Sequence, residues 1–332
     1  MLNGVRIVGT GSYKPKNVVK NDDFKKIIET SDEWIRTRTG ITERHMSSGE
    51  ATFFMGAEAA KDAIAEAGIA PSEIGLIIFS TVTPDYLTPS MACMVQREIG
   101  ADGAMALDVN CGCTGFAYSF DMARRYLATD DDIKYALIIG AENLSKILDF
   151  EDRATCILFG DGAGAAIVSR ADTMYAGFYG ADGKGGSVLC AENFRPNNPF
   201  MDKDAVFDYG IHGGRKEGLL YQDGKEVYKF AVKIMPFVIE KACAKAGIAP
   251  TDLDLIIPHQ ANTRIIQTAA ETLGLPMEKF HIVLDRFGNT SSASIPLAFD
   301  DAVKCGRVKR GDKVCFAGFG AGLTYGASVF EY

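Results

Sequence analysis

Residues 63–78 return at 242–257 with 10 of 16 positions identical, at an offset of 179. Each copy reads as a helix stopped by a glycine C-cap, a proline-containing turn and a buried strand. Alanine-rich helices resemble one another, but that does not explain the shared Gly-Ile-Ala-Pro punctuation or the matched strands. The register continues beyond this segment. Lys134–Gly140 falls opposite Lys313–Phe319, and the segment carrying Cys113 falls opposite Asp285–Ser292, which carries Asn289. The expected architecture is an α/β fold of two pseudo-symmetric halves, 1–180 and 224–332, joined by an irregular connection at 181–223. Alternation of strands and helices favours mixed or parallel sheets covered by helices. Duplication also sets equivalent turns face to face, so a site is expected at the seam.

A chain of 332 residues, 47% of them hydrophobic, has material for such a core. Its net charge of −8, with no basic run, argues against nucleic-acid binding. No apolar run reaches the length of a membrane span, and the first segment is too short and polar-flanked for a signal peptide. The eight cysteines lack disulfide-framework spacing, so a reduced, cytoplasmic setting is expected. Cys111-Gly112-Cys113 has one spacer residue and no second ligand cluster, which speaks against a metal or redox pair.

Cys113 follows a strand expected at Ala104–Val109 and precedes a helix expected from about Thr114. The unpaired amides and dipole of a helix N-terminus favour thiolate over thiol there. His259 ends the apolar run Leu255-Ile256-Ile257-Pro258, and Asn289 follows Gly288 in a polar turn. Taken singly, the histidine could cap a strand and the asparagine could be a left-handed turn residue. Taken together, a helix-terminal cysteine facing a histidine and an asparagine from the other half is a candidate nucleophilic site.

Other motifs fit less well. Papain-like proteases share the order Cys, His, Asn, but here more than a hundred residues of α/β pattern precede the cysteine and Thr114 follows it. Gly9-Thr10-Gly11 lacks the third glycine of a dinucleotide fingerprint. Gly160–Gly164 and Gly318–Gly322 lack the lysine of a phosphate loop. Close backbone approach is their expected use.

These residues resemble those of the β-ketoacyl-acyl-carrier-protein synthase III family, which has a thiolase-like fold of αβαβα layers. The resemblance spans essentially the whole chain. It rests on Gly9–Tyr13, Thr30–Ile35, Arg38–Ile41, Phe159–Ala165, Pro258–Asn262 and Gly288–Ser291. It implies a decarboxylative condensation of an acyl-CoA primer with malonyl-acyl-carrier protein, through an acyl intermediate on Cys113. His259 and Asn289 would bind the malonyl thioester carbonyl, and the amides of Cys113 and Ala321 would form the oxyanion hole. Trp34, Arg38 and Arg153 would contact CoA. Lys229 and Arg264 would dock the acidic carrier protein. A homodimer would bring Thr88 into the partner's acyl pocket, where family members that prefer small primers often carry phenylalanine; the smaller side chain suggests tolerance for longer or branched primers. No metal or redox cofactor is implied.

Asn289 separates this pattern from elongating condensing enzymes, which resemble Cys-His-His. Thiolases use a second cysteine, whereas Cys315 lies inside an expected strand. Plant-type polyketide synthases share Cys-His-Asn, so a ketosynthase or acyltransferase of a specialised pathway is an alternative, and a non-catalytic partner subunit a remote one. The chain departs from the family at Cys111, at Ala321 within Gly320-Ala321-Gly322, and at Tyr325. The stretch 190–217, with Asn197-Asn198-Pro199-Phe200 and Gly213-Gly214, reads as a loop, either shaping the acyl-pocket entrance or running as a variable surface excursion.

Overall fold

The structure, a computed structural model, describes residues 4–193, 198–200, 216 and 218–332. Gly213, Gly214 and Asn197 of the expected loop lie outside these residues. The first half runs β1 (Gly4–Tyr13), β2 (Val18–Lys20), α1 (Asp32–Thr39), β3 (Glu43–His45), α2 (Thr52–Ala67), β4 (Ile74–Ser80), α3 (Met91–Ile99), β5 (Met105–Val109), α4 (Gly115–Thr129), β6 (Tyr135–Glu142), α5 (Arg153–Cys156) and β7 (Gly162–Ala171). The second runs β8 (Tyr175–Ala181), β9 (Leu189–Ala191), β10 (Leu220–Gln222), α6 (Gly224–Ala246), β11 (Leu255–Pro258), α7 (Thr263–Leu273), α8 (Leu284–Phe287), α9 (Ser294–Lys304), β12 (Lys313–Gly320) and β13 (Thr324–Glu331).

The repeat holds in three dimensions. Helices α2 and α6 both stop on a left-handed glycine, Gly68 and Gly247, and Pro71 and Pro250 each open a short 3-10 turn into a strand. Among the described residues the first sheet has the order β1-β7-β6-β4-β5, and the second β8-β13-β12-β11. The two orders superpose. Where β5 pairs with β4, the second half has a single parallel bridge, Ile256 to Phe280.

This topology corrects the boundary drawn at 180. Strand β8 finds its hydrogen-bond partners on β13, antiparallel, as β1 finds its own on β7. The second half therefore starts before residue 180. Between β8 and α6 the second half carries β9 and β10, at the point in chain order where 14–51 stand in the first half.

The strands alternate between two cores, as a period of two requires. Leu76 and Ile78 of β4, Leu255 and Ile257 of β11, and Val314 and Phe316 of β12 point to a central cluster filled by α4 and α9. Ile77 and Phe79 pack outward against α2 and α3, while Ile256, Cys315 and Ala317 pack outward against α6 and α7. Two sheets thus separate three helical layers, the αβαβα arrangement expected. Cys315 is fully buried in the outer core, away from the central seam. Strand β5 is less buried than its apolar sequence suggests. It is the sheet edge, and Met105 is 46% exposed.

Candidate active site

Cys113 sits in a 3-10 turn, Gly112–Thr114, between β5 and α4. The turn needs Gly112 at φ 53°. A Cβ there would come within 2.9 Å of the Ala321 amide nitrogen, and one on Gly320 within 2.6 Å of the Cys113 nitrogen. These two glycines let the Cys113 turn of one half touch the end of β12 in the other.

The expected preference for thiolate is outweighed. Cys113 is buried, and burial pushes its thiol up to about 12 against the opposing effect of the Ser291 hydroxyl. The Glu142 carboxylate adds to the rise. Loss of hydration disfavours the charged sulfur more than the turn favours it. At rest the Cys113 sulfur is a thiol.

His259 follows β11, and its backbone N–H donates to Ala317 at 2.7 Å. The ring is 1% exposed, and burial pushes it down to about 3, so it is neutral. Its Nδ1 lies 2.7 Å from Ser294 Oγ, which also accepts from the Gln260 N–H at 3.4 Å. We assign the Ser294 hydrogen to Nδ1, which leaves Nε2 as the donor.

Asn289 is held by its backbone: its N–H donates to Leu158 and its carbonyl accepts from Gly160. Its Oδ1 accepts the Ser291 N–H at 2.9 Å, so its Nδ2 is the end with donors to offer. Positive φ falls on Gly288 and Ser291, not on Asn289. The turn-residue reading of this asparagine is thereby replaced.

Cys113, His259, Asn289 and Ala321 line one cavity of about 110 Å³. Its walls are largely apolar, with Val82, Leu144, Phe159, Leu189 and Leu220 among them. Positive φ in the glycine loop is taken by Gly322 at 135°, so Ala321 presents its amide without that strain.

Two family models match, both described as 3-oxoacyl-[acyl-carrier-protein] synthase III: one over residues 107–183 and its C-terminal counterpart over 243–332. The β-ketoacyl-[acyl-carrier-protein] synthase III of Clostridium acetobutylicum is 46% identical, over 100% of this chain and 99% of the relative. The chain belongs to the 3-oxoacyl-[acyl-carrier-protein] synthase III family. The Aquifex aeolicus synthase III is 43% identical over 99% of this chain and 100% of its own. The crystal structure of the Aquifex aeolicus VF5 enzyme superposes with a TM-score of 0.89, at 42% identity, over 99% and 100% of the two chains. The synthase III structure from Thermus thermophilus gives the same TM-score, 0.89, at 41% identity over 98% of each chain.

The remaining residues that the synthase III resemblance singled out lie outside this cavity. The guanidinium groups of Arg38 and Arg153 lie over the Trp34 ring, 4.5 and 4.7 Å from its centroid. Helix α1, which carries Trp34 and Arg38, is tied to the start of α7. Asn262 Nδ2 donates to the Arg38 carbonyl at 3.0 Å, and Arg264 donates to that of Thr37 at 2.9 Å. Arg264 is thus engaged within the chain, and exposed Lys229 pairs with Glu226 at 2.7 Å. Thr88 is exposed beside Tyr86 and Leu87, and the cavity of its own chain is lined without it. Of the 190–217 loop, the flanks matter here: Leu189, Leu220 and Gln222 line the cavity.

Sequence reasoning missed three residues: Ser291, Ser294 and Glu142. Ser291 was findable, because the offset of 179 sets it against Gly112. Glu142 gave no signal, since it acts through a contact across the seam between halves, and Ser294 gave none, since its partner His259 lies 35 residues away in the chain.

Proposed function

We propose that the chain is the initiating condensing enzyme of fatty-acid synthesis, an acyltransferase that takes an acyl-CoA primer and malonyl-acyl-carrier protein. The observation that carries this is the meeting of Cys113, His259 and Asn289 on one cavity in a chain 46% identical, end to end, to a β-ketoacyl synthase III. In the first half-reaction the Cys113 sulfur attacks the thioester carbonyl. The carbon–sulfur bond to CoA breaks, acyl-Cys113 forms, and the thiol proton leaves with CoA. The amides of Cys113 and Ala321 stabilise the oxyanion of that step.

In the second half-reaction the malonyl thioester loses carbon dioxide and its carbonyl oxygen gains enolate charge. The His259 Nε2–H and Asn289 Nδ2–H donate to that oxygen. The enolate carbon attacks acyl-Cys113, the carbon–sulfur bond to Cys113 breaks, the sulfur takes a proton from solvent, and a 3-ketoacyl-carrier protein departs. These steps call for no metal or redox cofactor.

The cavity is smaller than the ~150 Å³ apolar hole known to hold benzene, which favours primers of few carbons within one chain. Trp34 and its two guanidinium groups would take the adenine of CoA, the base exchanging with one of them. Lys229 and Arg264 would meet the acidic carrier protein. A homodimer through β5 would cover its exposed edge and carry Thr88 toward the partner's cavity, leaving room for longer or branched primers. No helix among the described residues is long and apolar enough to cross a membrane, and a cytoplasmic setting is proposed on the reduced cysteines.

Intact-protein and peptide mass spectrometry after mixing with acyl-CoAs of several lengths tests the reading. The expected result is an acyl label on Cys113 that malonyl-carrier protein releases as a 3-ketoacyl product. Absence of label with every acyl-CoA, on folded and reduced protein, would overturn it.

A further inference from the structure

Among the described residues, Ser291 is the one non-glycine residue with positive φ, at 48°. The offset of 179 sets it against Gly112, whose φ is 53°. The two halves therefore make the same turn, one with glycine and one with a residue that carries a Cβ. A serine held there is strained where glycine would be at ease. A residue kept against strain points to a use for its side chain.

Ser291 and Cys113 line the same cavity, and the Ser291 hydroxyl favours the charged form of the sulfur against its burial. The Ser291 N–H is fixed on Asn289 Oδ1 at 2.9 Å. The next residue anchors the turn from behind: Ser292 Oγ donates to Glu142 Oε1 at 2.7 Å. Glu142 is itself buried and takes hydrogen bonds from the Thr81 and Thr83 hydroxyls and the Val82 N–H. Burial and the Glu142 charge both oppose a negative sulfur. A donor that strengthens as charge develops on the sulfur offsets them.

We propose that Ser291 is a further catalytic residue, whose hydroxyl donates to the Cys113 sulfur as it gains charge in attack and again as it leaves the acyl group, with the Glu142–Ser292 contact holding it in place. The inference rests on Cys113 being the acyl acceptor. Its test needs no acyl substrate, so the two failures are distinguishable.

The pH dependence of Cys113 alkylation by iodoacetamide reads the sulfur directly, because a carbon–sulfur bond forms as iodide leaves only from the thiolate. The charged or titratable groups facing the sulfur are Glu142 from β6 and His259 after β11, with Cys111 in the same turn; all are kept. Ser291→Ala and Ser291→Gly are each expected to slow Cys113 alkylation about tenfold at every pH at which the protein is folded, the sulfur being mostly thiol throughout. Ser291→Gly is also expected to melt at the wild-type temperature or above, since it relieves the strain. An unchanged alkylation rate in folded Ser291→Gly would overturn the inference. Wild-type protein that alkylates as expected, yet gains no label from any acyl-CoA, would overturn the functional reading and with it the catalytic role of Ser291, whereas an unchanged alkylation rate in a protein that does take the label would overturn the Ser291 inference alone.

Discussion

Gly112-Cys113-Thr114 and Ser291-Ser292-Ala293 are the same turn in the two halves, each leading into a helix of the central layer, α4 or α9. In the first, the middle residue faces the cavity as a thiol. In the second, the middle residue is Ser292, turned to Glu142 and to the Ser80 carbonyl. The repeat sets Ala321, at the cavity, against Glu142, beneath Ser292. A duplicated backbone thus supplies two equivalent seats, and a handful of side chains give one a thiol at the cavity and the other a buried polar contact behind it.

The largest expected effect is at Cys113. Cys113→Ala should lower turnover by at least about 10⁴-fold and abolish the acyl label, with the fold intact by circular dichroism. Ser292→Ala, at the equivalent seat, should stay within about tenfold of wild type. Comparable losses in both would break the asymmetry. Next come His259→Ala and Asn289→Ala. Each should slow condensation about 10²–10³-fold while acylation of Cys113 persists, seen by running the half-reactions separately. If acylation falls equally, the two side chains do not belong to the second step.

Copying the second turn into the first comes third. Gly112→Ser should cost about 1–3 kcal/mol in urea unfolding, because its Cβ meets the backbone of Ala321. A neutral result would mean that the turns are interchangeable. The smallest effect concerns pH. His259 is pushed down to about 3 in the folded chain, so the unfolded chain binds its proton first as pH falls below about 6.5. Stability from this group is complete above that pH and declines toward 3. At pH 5.5 the loss is roughly 1.4 kcal/mol, and His259→Asn should remove that part of the slope.

Much of this was legible in the chain itself. The repeat announced the duplicated sheets, and the punctuation around Gly68 and Gly247 marked helix ends because only a residue without a Cβ is comfortable there. That Cys113, His259 and Asn289 would share one cavity was suggested by the repeat, with Cys113 and His259 each following a recognisable strand and Asn289 set by the offset opposite the Cys113 segment. The start of the second half was not. Strand β8 follows a different offset, and its partner β13 lies at the far end of the chain, where no local pattern points to it. The charge state of Cys113 was misread for a related reason. Helix-terminal donors can be inferred from neighbours in sequence, whereas burial depends on residues that arrive from the other half.

That last dependence reaches into how the molecule comes into being. The Cys113 turn is closed by Gly320 and Ala321, almost at the end of the chain. On the ribosome, the sulfur is made long before its lid. Until the final strands dock, it is a solvated thiol without its cavity. Cutting the chain between the halves would give two inert fragments, and mixing them would restore an acylable cysteine only where the seam re-forms. Reactivity at one atom would then serve as a readout of complete assembly.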